Sequence, residues 1–141
     1  MPAVTGIAAL YAARRKVLGI PSDDPVLSFH LFASGPSTID CDTVIADFVE
    51  ITAPGYASVA LNEANWTLSD SSCTVTGTYP QFTISFTGPG SPVQTVYGYW
   101  VQDDTTADFW WGDYLASPYL IPAGSSAINV VLTSEGQECS T

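Results

Sequence analysis

The chain has 141 residues, of which 46% are hydrophobic and only 12% are charged. That length suffices for one domain with its own core, and the charge content is about half that of an average globular protein. A surface with so few charges is easily buried against a partner, because little charge has to be desolvated. The composition therefore favours a protein that associates with itself or with other proteins.

The charge is divided unevenly along the chain. Arg14, Arg15 and Lys16 are the only Lys and Arg residues, and all 14 Asp and Glu residues follow them. Nucleic-acid binding requires Lys and Arg to neutralise phosphates, so we expect no DNA or RNA partner for the acidic body. The basic cluster is a candidate contact for an acidic partner, including the acidic body of a second copy.

Targeting and cysteine patterns indicate a protein made in the cytosol. The basic cluster follows the first apolar stretch instead of preceding it, so no signal peptide is expected. No apolar run reaches the roughly 20 residues of a membrane span, so no membrane contact is expected. The three cysteines, Cys41, Cys73 and Cys139, include no CxxC pair. Idle thiols are therefore expected, and a bridge between Cys41 and Cys73 stays open.

The first predicted element is a helix at residues 4–18. Apolar residues recur there at helical spacing, alanines favour the helix, and Gly19 with Pro21 can end it. The basic cluster falls in the last turns, where cations suit the helix dipole. The helix either lies on its own domain or docks on a neighbour. We therefore divide the chain into a helical arm at 1–20 and a β domain at 21–141.

Beyond residue 20 the pattern is that of short strands separated by turns. Leu27, Phe29 and Leu31 alternate with Ser28 and His30, which places the two groups on opposite faces of a strand. Further strands are predicted at residues 56–61, 66–68, 73–79, 82–87, 95–101, 109–115 and 127–133, while 43–50 fit a short helix or a strand. The sequence Pro54-Gly55 predicts a type II turn, residues 103–108 a hairpin tip, 118–126 a loop and the residues from Ser134 a polar tail. The fold class is thus mainly β, an antiparallel sandwich or jelly-roll with one leading helix.

Aromatic residues near two of these strands are candidates for contacting a partner. Gly98 lies between Tyr97 and Tyr99, which indicates a bulge or a close backbone approach that a neighbouring ring could cover. Trp110 and Trp111 are consecutive and face opposite sides of a strand, so one can enter the core while the other is either an interface anchor or buried between two sheets. The predicted partner-binding residues are Arg14, Arg15, Lys16, Tyr97, Tyr99, Trp110 and Trp111.

Several segments, taken in order, resemble the small minor structural proteins of tailed-phage and marine viral genomes. These segments are residues 27–32 (LSFHLF), 47–57 (DFVEITAPGYA), 82–88 (FTISFTG), 96–103 (VYGYWVQD), 109–114 (FWWGDY) and 123–130. The resemblance implies residence in a virion and supplies no catalytic residue. In the fifth segment Gly112 and Asp113 replace the charged pair usual in that family, so a salt bridge at this place is not implied.

No residue pattern predicts catalysis, a cofactor or a metal. The only histidine, His30, lies in the middle of a strand, where we expect a packed or surface strand residue and not a catalytic base. The adjacent carboxylates Asp103 and Asp104 diverge in a strand, unlike a glycosidase pair. Asp40 with Asp42, or Asp103 with Asp104, could bind calcium, but neither pair has the spacing of an EF-hand loop, so solvated loops are expected. We therefore predict a non-enzymatic protein with no cofactor and no metal site.

The function expected from these observations is that of a capsid decoration (cement) protein in a virion assembled in the cytoplasm of a bacterial host. Its partners would be the major capsid protein or other virion proteins, and it would self-associate, as a homotrimer. Two alternatives stay open: a tail fibre, adaptor or baseplate component, and a carbohydrate-binding module that attaches to the host surface.

Overall fold

The computed structural model describes residues 26–40, 42–62, 65–71 and 74–137. This part of the chain is mainly β, with antiparallel strand pairing. Its strands are β1 (Leu27–Ser34), β2 (Val49–Glu50), β3 (Val59–Leu61), β4 (Thr67–Ser71), β5 (Thr74–Thr78), β6 (Phe82–Phe86), β7 (Thr95–Asp103), β8 (Asp108–Leu120), β9 (Ser126–Val130) and β10 (Thr133–Gln137). A 3-10 turn lies at Ile45–Asp47.

Several sequence predictions fall outside these residues. They are the helix at residues 4–18, the arm boundary at residue 20 and the three cysteines. None of the helical structure in the described ranges is long and apolar enough to cross a membrane.

The described residues belong to two compact units. One unit holds Val26–Leu61 and Thr83–Val130, and the other holds Asn62–Phe82 together with the chain from Val131.

The larger unit is built on a sheet with the strand order β2-β1-β7-β8, in which β3 also pairs with β1. Strand β7 occupies one edge of β1, so β2 and β3 share the other edge, at opposite ends of β1. Every residue from Leu27 to Phe32 is buried. Both faces of β1 are therefore covered.

The chain leaves the sheet between β2 and β3, at residues 51–58. The predicted type II turn is confirmed there, because the Tyr56 N–H donates to the Ala53 carbonyl at 3.2 Å and Gly55 has a φ of 84°. Glycine is favoured at this third turn position because a side chain is strained at positive φ. The turn brings the Tyr56 ring back against the sheet edge that β2 and β3 leave open.

Strands β6 and β9 form a two-stranded sheet. The predicted alternation of β6 is confirmed, since Ile84 and Phe86 are buried while Thr83 and Ser85 are exposed. The Phe86 ring stacks against Tyr56 at 6.3 Å and against Tyr119 at 6.2 Å. The apolar face of β6 is therefore covered by Tyr119 of β8 and by Tyr56 of the segment that follows β2.

The hairpin of β7 and β8 turns at residues 104–107, as predicted. Strand β8 continues to Leu120, so the prediction of a loop from residue 118 is wrong. Thr95 pairs with Leu120 and Val96 with Tyr119, which extends the ladder beyond an irregularity in register between Val96 and Gly98. Backbone pairing to β7 thus overrides the local turn signal of Pro118.

The smaller unit is a three-stranded sheet with the order β10-β5-β4. Tyr79 is buried at its end, where its ring meets Trp66 at 5.1 Å and its N–H donates to the Leu132 carbonyl at 2.9 Å. Strand β10 covers residues predicted to form a polar tail. Its ladder with β5 consists of backbone hydrogen bonds, which do not depend on apolar side chains.

Candidate functional site

The richest cluster of polar side chains lies on the face of β1 that carries Ser28 and His30. The Ser28 hydroxyl lies 2.7 Å from His30 Nε2, and His30 Nδ1 lies 2.6 Å from Glu50 Oε1. The Ser28 hydroxyl also contacts Asp104 Oδ1 at 2.7 Å. These contacts join β1 to β2 on one side and to the β7–β8 turn on the other.

The backbone explains why these side chains meet. Ser28 and His30 are two residues apart on one strand, so they project from the same face. Glu50 pairs with Phe32, one step further along that face. Asp104 is placed by its own N–H, which donates to the Val26 carbonyl at 2.8 Å and continues the pairing of β1 with β7.

The cluster extends at both ends into a continuous hydrogen-bonded series. The Tyr56 hydroxyl accepts the Leu31 N–H at 3.0 Å and donates to Glu50 at 3.3 Å. At the other end, Gln102 Nε2 donates to Asp104 at 2.9 Å, and Trp100 Nε1 donates to Gln102 Oε1 at 2.8 Å. We call this series the polar chain; its members are Tyr56, Glu50, His30, Ser28, Asp104, Gln102 and Trp100.

Burial keeps the Tyr56 end of the polar chain neutral. Burial raises the pKa of the Tyr56 phenol well above its usual range; the Leu31 N–H lowers this pKa by a smaller amount, and the nearby Glu50 charge raises it further. A neutral phenol is a donor, so it can stabilise the Glu50 carboxylate while it accepts the Leu31 N–H.

Aromatic rings cover the middle of the polar chain. The His30 ring stacks on the Trp100 ring with centroids 4.8 Å apart and planes inclined by 9°. Trp100 in turn stacks with Phe48 at 5.0 Å, within a cluster that also contains Phe32. The sequence left open whether His30 is packed or lies on the surface of the strand, and its 8% exposure shows that it is packed.

The atoms of Ser28, His30 and Glu50 follow the order of a hydrolase triad, but the surroundings do not suit nucleophilic attack. A nucleophile must reach the substrate and give its proton to the base. Ser28 is only 3% exposed, and its hydroxyl donates to Asp104. The geometry suits these three residues to holding strands together.

The predicted partner-binding residues are placed in different surroundings. Tyr97 is exposed, whereas Tyr99 packs its ring on Phe29 at 5.2 Å. Burial, followed by the Asp113 charge, raises the pKa of Tyr99. Trp111 is buried and Trp110 is half-buried. Arg14, Arg15 and Lys16 lie outside the described residues, and partner binding by all seven residues remains a prediction.

The close approach predicted at Gly98 is confirmed. A Cβ there would overlap the Asp113 carbonyl oxygen and the Phe32 ring. Gly98 pairs with Phe32 across the strands, and Tyr114 meets the same ring edge-on at 5.1 Å. A ring from the neighbouring strand therefore occupies the space between Tyr97 and Tyr99.

Sequence reasoning missed most members of the polar chain. The alternation of β1 showed that Ser28 and His30 share a face, but their partners are 20 and 76 residues away along the chain. Tyr114 was also missed; it is exposed, and its hydroxyl donates to the Pro36 carbonyl. No local pattern in the sequence marks these distant partners.

Comparisons of the chain with protein-family models, curated proteins and solved structures found no match. Its function has to be inferred from its own residues.

Proposed function

We propose that this chain is a structural protein of a tailed-phage virion, and that it acts as a capsid decoration protein through protein–protein contacts. The observation that carries the proposal is a contrast between interior and surface. The acidic and basic side chains of the polar chain form hydrogen bonds with one another or with Ser28 inside the sheet. Apolar side chains, in contrast, are exposed on a surface that carries few charges.

Exposed apolar side chains support contact as the mode of action. Those of the described residues are Val26, Val44, Val49, Val93, Tyr97, Tyr114, Leu120 and Val131. Leu120 is 62% exposed at the end of β8. Covering such residues with a partner removes apolar area from water, and the low charge content keeps the desolvation cost small.

The free edge of β8 supports a contact between strands. In the described part of the chain β8 pairs with β7 alone. An unpaired edge offers backbone donors and acceptors to a strand from another chain. In this proposal β8 contributes to self-association as a homotrimer or to docking on the coat.

We also propose that the strands form an antiparallel sandwich or jelly-roll. Support comes from Phe86 of β6, whose ring lies between Tyr119 of β8 and Tyr56 of the segment beside β2. Such packing is expected where a second sheet covers the face of a first.

Counting copies in particles tests the function. Peptides of this chain would be quantified against those of the major capsid protein in particles purified from an infected culture. A decoration protein is expected in numbers comparable with the coat protein. A few copies per particle would favour a tail component, and absence from the particles would overturn virion residence.

A rebinding experiment tests whether the exposed Leu120 on β8 contacts the particle. Particles that lack the chain would be mixed with purified protein carrying Leu120→Ser, with Val49→Ser as the control. Val49 is also an exposed apolar residue, at 58%, but it lies on β2. We expect only Leu120→Ser to bind less than the unmodified protein; Leu120→Ser that binds as well as the unmodified protein would exclude Leu120 as a contact.

A further inference from the structure

We propose that a second copy of this chain binds at an uncharged patch on β7 and β8, and that this self-association becomes stronger as salt is added. The patch consists of Val93, Thr95, Tyr97 and Leu120, and we call it the neutral patch. The inference rests on the proposed function, in which the chain acts by contact, and deepens it by naming the partner that covers Leu120.

The larger unit separates its charges from the neutral patch along the sequence. This unit contains four acidic residues at 40–50, four at 103–113, and no Lys or Arg. Residues 51–61, 83–102 and 114–130 contain no Asp, Glu, Lys or Arg. The neutral patch is formed by the last two of these uncharged segments.

Backbone pairing makes the neutral patch continuous. Leu120 pairs with Thr95 across β8 and β7, and next to this pair the Ile121 N–H donates to the Gln94 carbonyl at 3.1 Å. Side chains two residues apart on a strand project from the same face, and so do side chains directly opposite each other. Tyr97 therefore lies on the same face as Thr95 and Leu120.

The apolar members of the neutral patch are well exposed. Val93 is 60% exposed, Tyr97 42% and Leu120 62%. Residues 116–118 of β8, which lie opposite Tyr97, are exposed as well, and they are the small or uncharged residues Ala, Ser and Pro. A partner can approach such a surface closely and cover apolar area without desolvating a charge.

The acidic residues of the larger unit lie away from the neutral patch. Asp113 pairs with Tyr99, four residues along β7 from Thr95, which corresponds to about 13 Å. Asp103 is eight residues from Thr95 on the same strand, or about 26 Å. The segment 39–48 packs on the other face of the sheet. Charges at these distances are largely screened at physiological salt, where the Debye length is about 8 Å.

Charge favours a second copy as the partner. Each chain has a formal net charge of −11, so two copies repel each other unless they meet where charge is absent. A symmetric pair brings the same patch of both copies into contact, with an uncharged surface on each side. A partner that is recognised by its positive charges would bind the acidic segments instead.

The effect of salt separates this contact from the other mode of self-association that the sequence allows. A contact of Arg14, Arg15 and Lys16 with the acidic residues of another copy is an attraction between opposite charges, which salt weakens. At the neutral patch no such attraction is lost, whereas the repulsion between the two acidic chains is screened. Association through the neutral patch therefore increases with salt.

Sedimentation equilibrium of the purified full chain tests the sign of the salt effect. The average mass would be measured over a range of protein concentrations at about 50 mM and about 500 mM NaCl. We expect masses above the 14.9 kDa of one chain, with an association constant about tenfold higher in the more concentrated salt. A monomer in both solutions, or a constant that falls with salt, would overturn the proposal.

Substitutions that introduce a charge test the position of the contact. Leu120→Asp and Leu120→Lys change the net charge in opposite directions, but each places a charge in the contact, so both should weaken association about tenfold in the more concentrated salt. Val49→Asp and Val49→Lys make the same changes at a residue that is 58% exposed on β2, and they should associate like the unmodified protein. A Leu120→Lys variant that associates normally would exclude the neutral patch as the contact.

Two further measurements keep the outcomes distinct. Leu120 and Val49 are exposed, so the four variants should unfold at the same temperature as the unmodified protein in dilute salt, which shows that lost association is not lost folding. The sedimentation result is also independent of the copy number in particles. A chain that associates but is missing from particles would overturn the proposed function alone, and a monomeric chain found in particles would overturn this inference alone.

Discussion

The two faces of β1 are equally buried but are held by different interactions. Leu27, Phe29 and Leu31 form an apolar face, whose cost of exposure grows with the area returned to water. Ser28 and His30 lie on the other face, where burial is tolerated only because each polar atom has a partner. The stability of the apolar face therefore depends on how well its volume is filled. The stability of the polar face depends on every polar atom in the hydrogen-bonded series having a partner.

This comparison predicts that substitutions on the two faces follow different rules. On the apolar face a change in shape should matter little when volume is conserved. On the polar face the removal of a single atom should be costly, because the atom left behind is buried without a partner. Four substitutions test these rules, from the largest expected effect to the smallest.

Truncation on the apolar face should have the largest effect. Phe29 is 1% exposed and its ring stacks on Tyr99. Phe29→Ala should lower the free energy of unfolding by about 4 kcal/mol, as measured by urea denaturation, because it leaves a cavity. Phe29→Leu, the control, fills most of that volume and should lose less than half as much. A loss below about 1 kcal/mol for Phe29→Ala would show that this face is not a packed core.

Addition of one methyl group beneath the polar face should come next. Gly98→Ala would drive a Cβ into the Phe32 ring and the Asp113 carbonyl oxygen, and the strand backbone cannot move away easily. We expect a loss of about 3 kcal/mol in the same measurement.

Gly88→Ala is the control for that substitution. A Cβ at Gly88 meets only Pro54 Cγ, at 3.9 Å, which is an ordinary contact. This variant should unfold within about 0.5 kcal/mol of the unmodified protein. Equal losses at the two glycines would contradict the assignment of Gly98 to a close approach.

Deletion of one oxygen tests the rule that each buried polar atom needs a hydrogen-bond partner. Tyr56→Phe removes the acceptor of the Leu31 N–H and a donor to Glu50. At pH 8 the free energy of unfolding should fall by about 1.5 kcal/mol, because the strand N–H is left without a partner.

The same variant should respond differently to alkaline pH. Burial raises the pKa of Tyr56 above the ordinary value of 10.0, so the folded chain keeps the phenol neutral where the unfolded chain ionises it. Its contribution is complete below that pH and is lost above it, at up to about 1.4 kcal/mol per pH unit. The free energies of unfolding of the two proteins should therefore become equal at about pH 11. A difference that is unchanged at about pH 11 would contradict the burial of the phenol.

A volume-conserving change on the apolar face should have the smallest effect. Leu31→Met keeps nearly the same volume, and the Leu31 N–H and carbonyl remain available to Tyr56 and Ile51. We expect a loss below about 1 kcal/mol. A larger loss than that of Tyr56→Phe would reverse the proposed difference between the faces.

The strands that could be predicted are those whose local pattern decides their structure. The alternation of β6, the turn at Pro54-Gly55 and the tip between β7 and β8 all depend on neighbouring residues, and all were predicted. Strand β10 and the end of β8 were missed because backbone pairing with distant strands creates them. The mainly β class was therefore predictable, whereas the arrangement of the sheets was not.

The polar chain was beyond prediction for a related reason. The alternation of Ser28 and His30 with apolar residues is typical of a strand that buries one face and exposes the other face to water. Burial of the polar face requires contacts from Glu50, Tyr56 and Asp104, which lie in three other segments of the chain. No residue near Ser28 or His30 in the sequence indicates these contacts.

The phenol of Tyr56 has one more consequence, for the outer margin of the central strand. Between β2 and β3, the Leu31 N–H and carbonyl would otherwise form a gap in the ladder; instead they bind the Tyr56 hydroxyl and the Ile51 N–H. The Tyr56 hydroxyl and the Ile51 N–H thus replace the missing strand at Leu31, so that neither Leu31 group is left as a template for pairing with foreign chains. Protection of the Leu31 N–H at this margin rests on one hydroxyl group.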